Sequence, residues 1–173
     1  YVRAYKKKGG KYTYSKKSKA AAGRTGYQIK GKSEVSAAQM ARYYKSKRST
    51  YPSVYASLGA PTINDFTRIV YREAERYNIK AEALFAQICN ETGFLKFGGD
   101  VSISQCNFGG VGATGNGASG IDFRSYGASH YKAFGYSSAD QARKHAIDVG
   151  IRSQAMHLAL YAGAIKTIDY TID

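Results

Sequence analysis

Leu84-Phe85-Ala86-Gln87-Ile88-Cys89-Asn90-Glu91-Thr92-Gly93 decides how this chain is read. With Ala81 and Ala83 ahead of it, the stretch predicts a helix over 81–91 that is apolar nearly all round, and such a helix belongs in the middle of a core. Thr92-Gly93 ends it. The helix closes on one carboxylate, Glu91. A glutamate on the last turn opposes the helix dipole, and locally unfavourable choices tend to mark function. At the mouth of an apolar helix, desolvation is expected to disfavour the ionised carboxylate, which suits a general acid. Glycoside cleavage uses such a group. The plain alternative is an exposed helix-end carboxylate, since acids are rarely buried without a partner.

Downstream lies Asn107-Phe108-Gly109-Gly110-Val111-Gly112-Ala113-Thr114-Gly115, and residues 98–120 hold 8 of the 19 glycines. This region is expected to be mostly loop. Asn107 through Gly112 are expected to form one wall of a groove, with backbone groups free to meet a sugar acetamido group where a Cβ would clash. Gly115 through Gly120 is no phosphate loop: it lacks the Lys-Ser/Thr ending and follows no strand.

Upstream, Ser36 with Gln39 reads as a capping box opening a short helix over 36–44. A loop through Pro52, Gly59 and Pro61 follows. Thr62 or Asn64 then starts a helix whose buried face is Ile63, Phe66, Ile69, Val70, Ala74 and Tyr77, stopping near Asn78. Towards the C-terminus, Ser138 with Gln141 opens a long helical region, broken or kinked at Gly150 and carried on by Ile151, Ala155, Leu158, Ala159 and Tyr161. The expected fold class is mainly α: a helical domain with Gly-rich loops.

The chain has 173 residues, 43% hydrophobic, enough for one core and too few for two. It contains no apolar run long enough to span a bilayer and no visible secretory leader. Residues 1–50 carry 15 Lys or Arg and one acid, Glu34, which accounts for the whole net charge of +14. The remainder is balanced. Residues 1–35 therefore read as a basic Lys/Tyr-rich arm, extended or disordered because like charges repel, and residues 36–173 as the domain. Tyr12 and Tyr14 alternate, so a short strand pairing with a partner is the alternative. The arm would be drawn to polyanions: wall polymers, nucleic acid or an anionic membrane. Cys89 and Cys106 are too few for a disulfide framework and read as buried small hydrophobes. The three histidines, His130, His145 and His157, show no metal-site spacing.

Asp122, Asp140 and Asp148 are the candidate second carboxylates. Asp140 is most simply a first-turn helix acid. Tyr126, Tyr131, Tyr136 and Tyr161 lie where sugar-stacking rings could sit, although most tyrosines are half-buried packing.

At these residues the chain resembles a known family. Ala86-Gln87-Ile88-Cys89-Asn90-Glu91-Thr92-Gly93 is similar to the A-Q-x-x-x-E-[ST]-G segment of bacterial glucosaminidase domains, glycoside hydrolase family 73. Asn107 through Gly115 resembles the N-F-[AG]-G-[IV]-G-A-T-G loop of its clostridial and phage version. Phe97 through Ile103, and Gly150-Ile151-Arg152-Ser153-Gln154 with His157-Leu158, fit the same version. The resemblance covers roughly residues 60–162, leaving the arm outside.

The resemblance implies a lysozyme-like, mainly α domain that binds peptidoglycan and cleaves the β-1,4 bond after N-acetylglucosamine, without metal or other cofactor, in an extracellular, cell-wall or virion-associated setting. Glu91 matches the family's catalytic acid. Tyr161 matches a cleft tyrosine at the start of a Y-A-T-D segment, although Gly163-Ala164 stands here for Thr-Asp. Phe123-Arg124-Ser125-Tyr126 fits an F-R-x-Y stretch that follows an acidic hairpin in many members. That hairpin is missing here, leaving Asp122 or Asp148 to position water, or the sugar's own acetamido group to attack. Asn107, Phe108, Gly109, Gly110 and Tyr126 are the expected sugar contacts. Three alternatives stay open: a non-catalytic wall-binding or phage-tail module, a lytic transglycosylase or muramidase on the same fold, and nucleic-acid binding through the arm, which rests on charge alone.

Overall fold

The computed structural model describes residues 5–8, 11–14, 28–114, 117 and 119–168. They build a mainly α domain. Helix α1 (Ala37–Lys47) starts at the Ser36/Gln39 capping box expected from sequence and runs one turn longer than the pattern suggested. Helix α2 (Ile63–Arg76) starts at Thr62, whose hydroxyl and Asp65 cap each other's backbone N–H groups. Helix α3 (Ala81–Glu91) has the bounds its apolar run predicted. Helix α4 (Phe123–Ser129) was not expected; its signal in the sequence is Asp122, which caps it.

Helix α5 (Ala139–Lys144) starts at Ser138, and α6 (Ala146–Tyr161) follows after His145. The break in this region therefore falls at His145, and α6 runs unbroken through Gly150. The reason for the glycine is a close approach. A Cβ at Gly150 would lie 1.9 Å from the Cys106 carbonyl oxygen, so the missing side chain lets α6 pack onto the loop after α3.

In the N-terminal segment, strands β1 (Tyr5–Lys8) and β2 (Lys11–Tyr14) pair antiparallel, with Tyr5 opposite Tyr14 and Lys7 opposite Tyr12. The alternating tyrosines thus mark a strand whose partner is local. The remainder of the expected arm up to residue 27 lies outside the described residues. Residues 28–35 are docked on the domain. Lys80 N–H donates to the Ile29 carbonyl, Gly31 N–H to the Asn78 carbonyl, and Ala81 N–H to Ser33 Oγ. The last of these supplies a cap that Lys80 cannot give to α3.

Helix α2 is the hub, packed against α1, α3 and α6, while α4 bridges α5 and α6. The centre is aromatic. Phe66 stacks on Tyr55 at 6.1 Å and meets Phe108 edge-on at 5.3 Å. All three are fully buried, and each buried ring of this size contributes roughly 1.5–3 kcal/mol. Among the described residues no helix is long and apolar enough to cross a membrane.

Candidate active site

Helix α3 carries Glu91 out of the core. Leu84, Phe85, Ile88 and Cys89 are buried, whereas the Glu91 side chain is exposed and makes no hydrogen bond or ion pair among the described residues. The expected burial beside Phe85 or Phe108 is therefore absent: Glu91 points away from the apolar interior that Ile88 and Cys89 enter. Gln87, one turn earlier on the same face, has a buried Oε1 with no partner among the described residues.

The chain directly after Glu91 is strained. Among the described residues five non-glycine residues take positive φ, and three of them follow Glu91 closely: Phe94, Leu95 and Phe97, at φ 57°, 62° and 57°. Left-handed backbone costs an L-residue roughly 1–2 kcal/mol each. The strain persists because the turn is over-determined. Thr92 is buried; its Oγ1 donates to the Ile88 carbonyl at 2.7 Å and accepts from Leu95 N–H at 2.9 Å. Phe94 N–H returns to the Cys89 carbonyl, and Phe97 N–H to the Thr92 carbonyl. From α1, Arg48 Nη1 donates to the Phe94 carbonyl at 2.9 Å, joined by the Tyr44 hydroxyl at 3.3 Å.

The glycine loop behaves differently from the expected ligand wall in two places. Asn107 is 1% exposed. Its side chain accepts from Val111 N–H and donates to the Val111 and Ile121 carbonyls, so its amide folds the loop and is not offered to a sugar. Phe108 is a core residue, fully buried against Phe66, Tyr55 and Phe97. An apolar side chain between Asn and Gly-Gly gains more from the interior than from a wet groove. Gly109 and Gly110 are partly exposed. A Cβ at Gly109 would strike the Gln154 side chain, whereas one at Gly110 would meet open space, although its φ of +62° itself favours glycine.

Helix α6 runs along this loop. Gly150 faces Cys106 and Gln154 faces Gly109. His157 and Tyr161 continue the same stripe at i+3 and i+7 from Gln154, which carries Tyr161 about 10 Å further along the axis. Tyr161 is 77% exposed, a ring left in solvent at the end of that face. Tyr126 is half-buried, stacked on His130 at 4.2 Å and edge-on to Phe123 and Phe134; burial raises its phenol above its usual range.

Neither candidate second acid is free. Asp122 accepts from the N–H groups of Arg124 and Ser125 and from Ser125 Oγ. It is the N-cap of α4. Asp148 belongs to a charged network that the sequence reading missed. Its carboxylate accepts from the Tyr136 hydroxyl at 2.6 Å and is paired with Arg72. Beside it Glu73 on α2, fully buried, accepts from Nε of Arg72, Arg76 and Arg152 at 2.8, 2.9 and 3.0 Å. Burial, then the nearby Asp148 charge, push the Tyr136 phenol up. The missed signal was position: Glu73 lies one turn before Tyr77 and directly beside Ala74 on the buried stripe of α2.

Cys89 and Cys106 are both free and buried. Burial pushes the Cys89 thiol up to about 12 and raises Cys106 as well. Such thiols are inert nucleophiles. Comparison of the chain with protein-family models, curated proteins and solved structures found no match.

Proposed function

We propose that the domain is a lysozyme-like peptidoglycan hydrolase that cleaves the β-1,4 bond after N-acetylglucosamine, with Glu91 as its acid. The observation that carries this reading is the strained, over-determined turn directly after Glu91. Strain of this kind collects at active sites, where it fixes a reacting group. Here it holds, at the end of a rigid core helix, a carboxylate with no partner among the described residues. In the free chain that carboxylate is exposed; a bound glycan strand would cover it and remove its water, and catalytic contacts commonly tighten only in the complex.

The engagement of Asp122 and Asp148 favours a substrate-assisted route over a two-carboxylate one. The acetamido carbonyl oxygen of the sugar attacks C1 while the C1–O bond to the next sugar breaks. Glu91 gives its proton to the departing oxygen, then takes one from the water that opens the cyclic intermediate. Tyr161, with Gly109 and Gly110, is the available contact surface on the α6 side. The basic arm attaches the enzyme to anionic wall polymers, in a wall-associated or virion-associated setting. Removing residues 1–27 weakens attachment to intact walls at low salt, and the deficit fades as the Debye length falls from about 10 Å at 0.1 M to about 3 Å at 1 M.

The test is release of reducing ends from purified peptidoglycan by the native chain and by Glu91→Gln. Release by the first and none by the second supports the reading. No release by either favours the rival: a wall-binding module whose second acids serve only structure. Mass spectra separate a hydrolase from a lytic transglycosylase, which leaves an anhydro-muramoyl end.

A further inference from the structure

A groove of about 560 Å³ is lined by Arg72, Arg76, Lys132, Phe134, Tyr136 and Arg152, together with Asp148. Glu73 sits buried beside it and is absent from the lining. Four cations here face two carboxylates. The carboxylates organise the arginines without using them up. Glu73 takes only the Nε donor of each of the three. Arg152 spends Nη1 on the Phe134 carbonyl, and Arg72 spends Nη2 on Asp148. Both Nη groups of Arg76, Nη1 of Arg72 and the Lys132 ammonium make no hydrogen bond to a described residue. Arg72 and Arg76 remain about half exposed, and Lys132 is exposed.

We propose that this groove binds a phosphate group carried on a larger molecule. Pre-fixed guanidinium forks lose little freedom on binding an oxyanion and give its strongest hydrogen bonds. The donors come from two directions, α2 and the 132–136 loop. A tetrahedral phosphate can meet both, because its oxygens point to different sides, whereas the two oxygens of a carboxylate lie in one plane. The surplus of two positive charges matches a phosphate dianion or two successive phosphodiesters. The volume exceeds that of a bare phosphate and leaves room beside Phe134 and Tyr136 for the organic group that carries it. The inference does not rest on the hydrolase reading, since no residue of the groove is assigned a part in glycan cleavage.

The experiment uses the full chain and the arginine side-chain NMR signals. Inorganic phosphate and a short glycerol-phosphate oligomer are titrated separately, with sodium chloride at matched ionic strength as control. The Nε–H signals of Arg72 and Arg76 are expected to shift saturably, while those of Arg42 and Arg48 move no more than in chloride. Tighter binding of the oligomer than of inorganic phosphate supports a carried phosphate, and preference for inorganic phosphate would overturn it. Arg76→Gln is expected to lower affinity about tenfold. Because Arg76 also braces Glu73, Lys132→Gln provides a variant outside that network, expected to weaken binding about threefold at unchanged melting temperature. Arginine signals that drift together without saturation, or a Lys132→Gln variant that binds like the parent alongside Arg76→Gln doing the same, would overturn the proposal.

Discussion

Two glutamates on adjacent helices show how differently one residue type can be used. Glu73, within α2, is fully buried and holds three arginines; Glu91, at the end of α3, is exposed and holds nothing among the described residues. A buried carboxylate surrounded by guanidinium groups has its oxygens occupied by them. It can brace a structure but lies out of a ligand's reach. Glu91 is open to a ligand, and the turn behind it is strained and held by several hydrogen bonds. The polar density around Glu73 marks structure, and the isolation of Glu91 on a rigid support is what the proposed chemistry requires.

Glu91→Gln attacks the comparison at its sharpest point. Loss of a general acid removes about 10²–10⁴-fold of rate, so reducing-end release is expected to fall by that factor, with unfolding free energy within about 0.5 kcal/mol of the parent. A variant that turns over normally would place both glutamates in the structural class. Glu73→Gln is the mirror experiment. Removing one partner of a buried charge cluster costs about 3–5 kcal/mol. A denaturant midpoint lowered accordingly is expected, and any activity that remains should scale with the folded fraction.

Asp122→Ala separates cap from catalyst. Loss of a helix N-cap costs about 1 kcal/mol, and turnover is expected to stay within a few-fold of the parent. A hundredfold loss of turnover at an unchanged melting temperature would make Asp122 a catalytic base after all.

The smallest expected effect belongs to His157, which stands between the two glutamates in exposure. Burial lowers its imidazole below the usual 6.5, so the unfolded chain binds this proton more readily than the folded one. Its contribution to stability is present above pH 6.5 and is lost as pH falls through the lowered folded value. Melting temperatures at pH 7 and pH 5 are expected to differ less in His157→Gln than in the parent. An equal difference in both would show that other groups set the acid limb.

Much of the helical frame was readable beforehand. The bounds of α3, the Ser36 and Thr62 caps and the buried stripe of α2 follow from local rules, because capping and 3.6-residue periodicity act within a few residues. The misreadings were long-range. Gly150 looked like a helix breaker because glycine is a poor helix former, yet it is there for the Cys106 carbonyl, 44 residues away in sequence. Phe108 and Asn107 looked like ligand contacts because they sit in a glycine loop, yet they are its inner staple.

By itself the sequence determined that the protein is mainly α, that an apolar helix ends on Glu91, that glycines follow, and that the net charge is gathered in the first 50 residues. Those are properties of neighbours along the chain. Only the tertiary structure decided that Glu91 is exposed and Glu73 buried, that Asp122 caps a helix, and that Asp148 joins Tyr136 and Arg72. Burial and charge pairing depend on which helices meet, and the meeting of α2 with α6 brings together residues more than 70 positions apart.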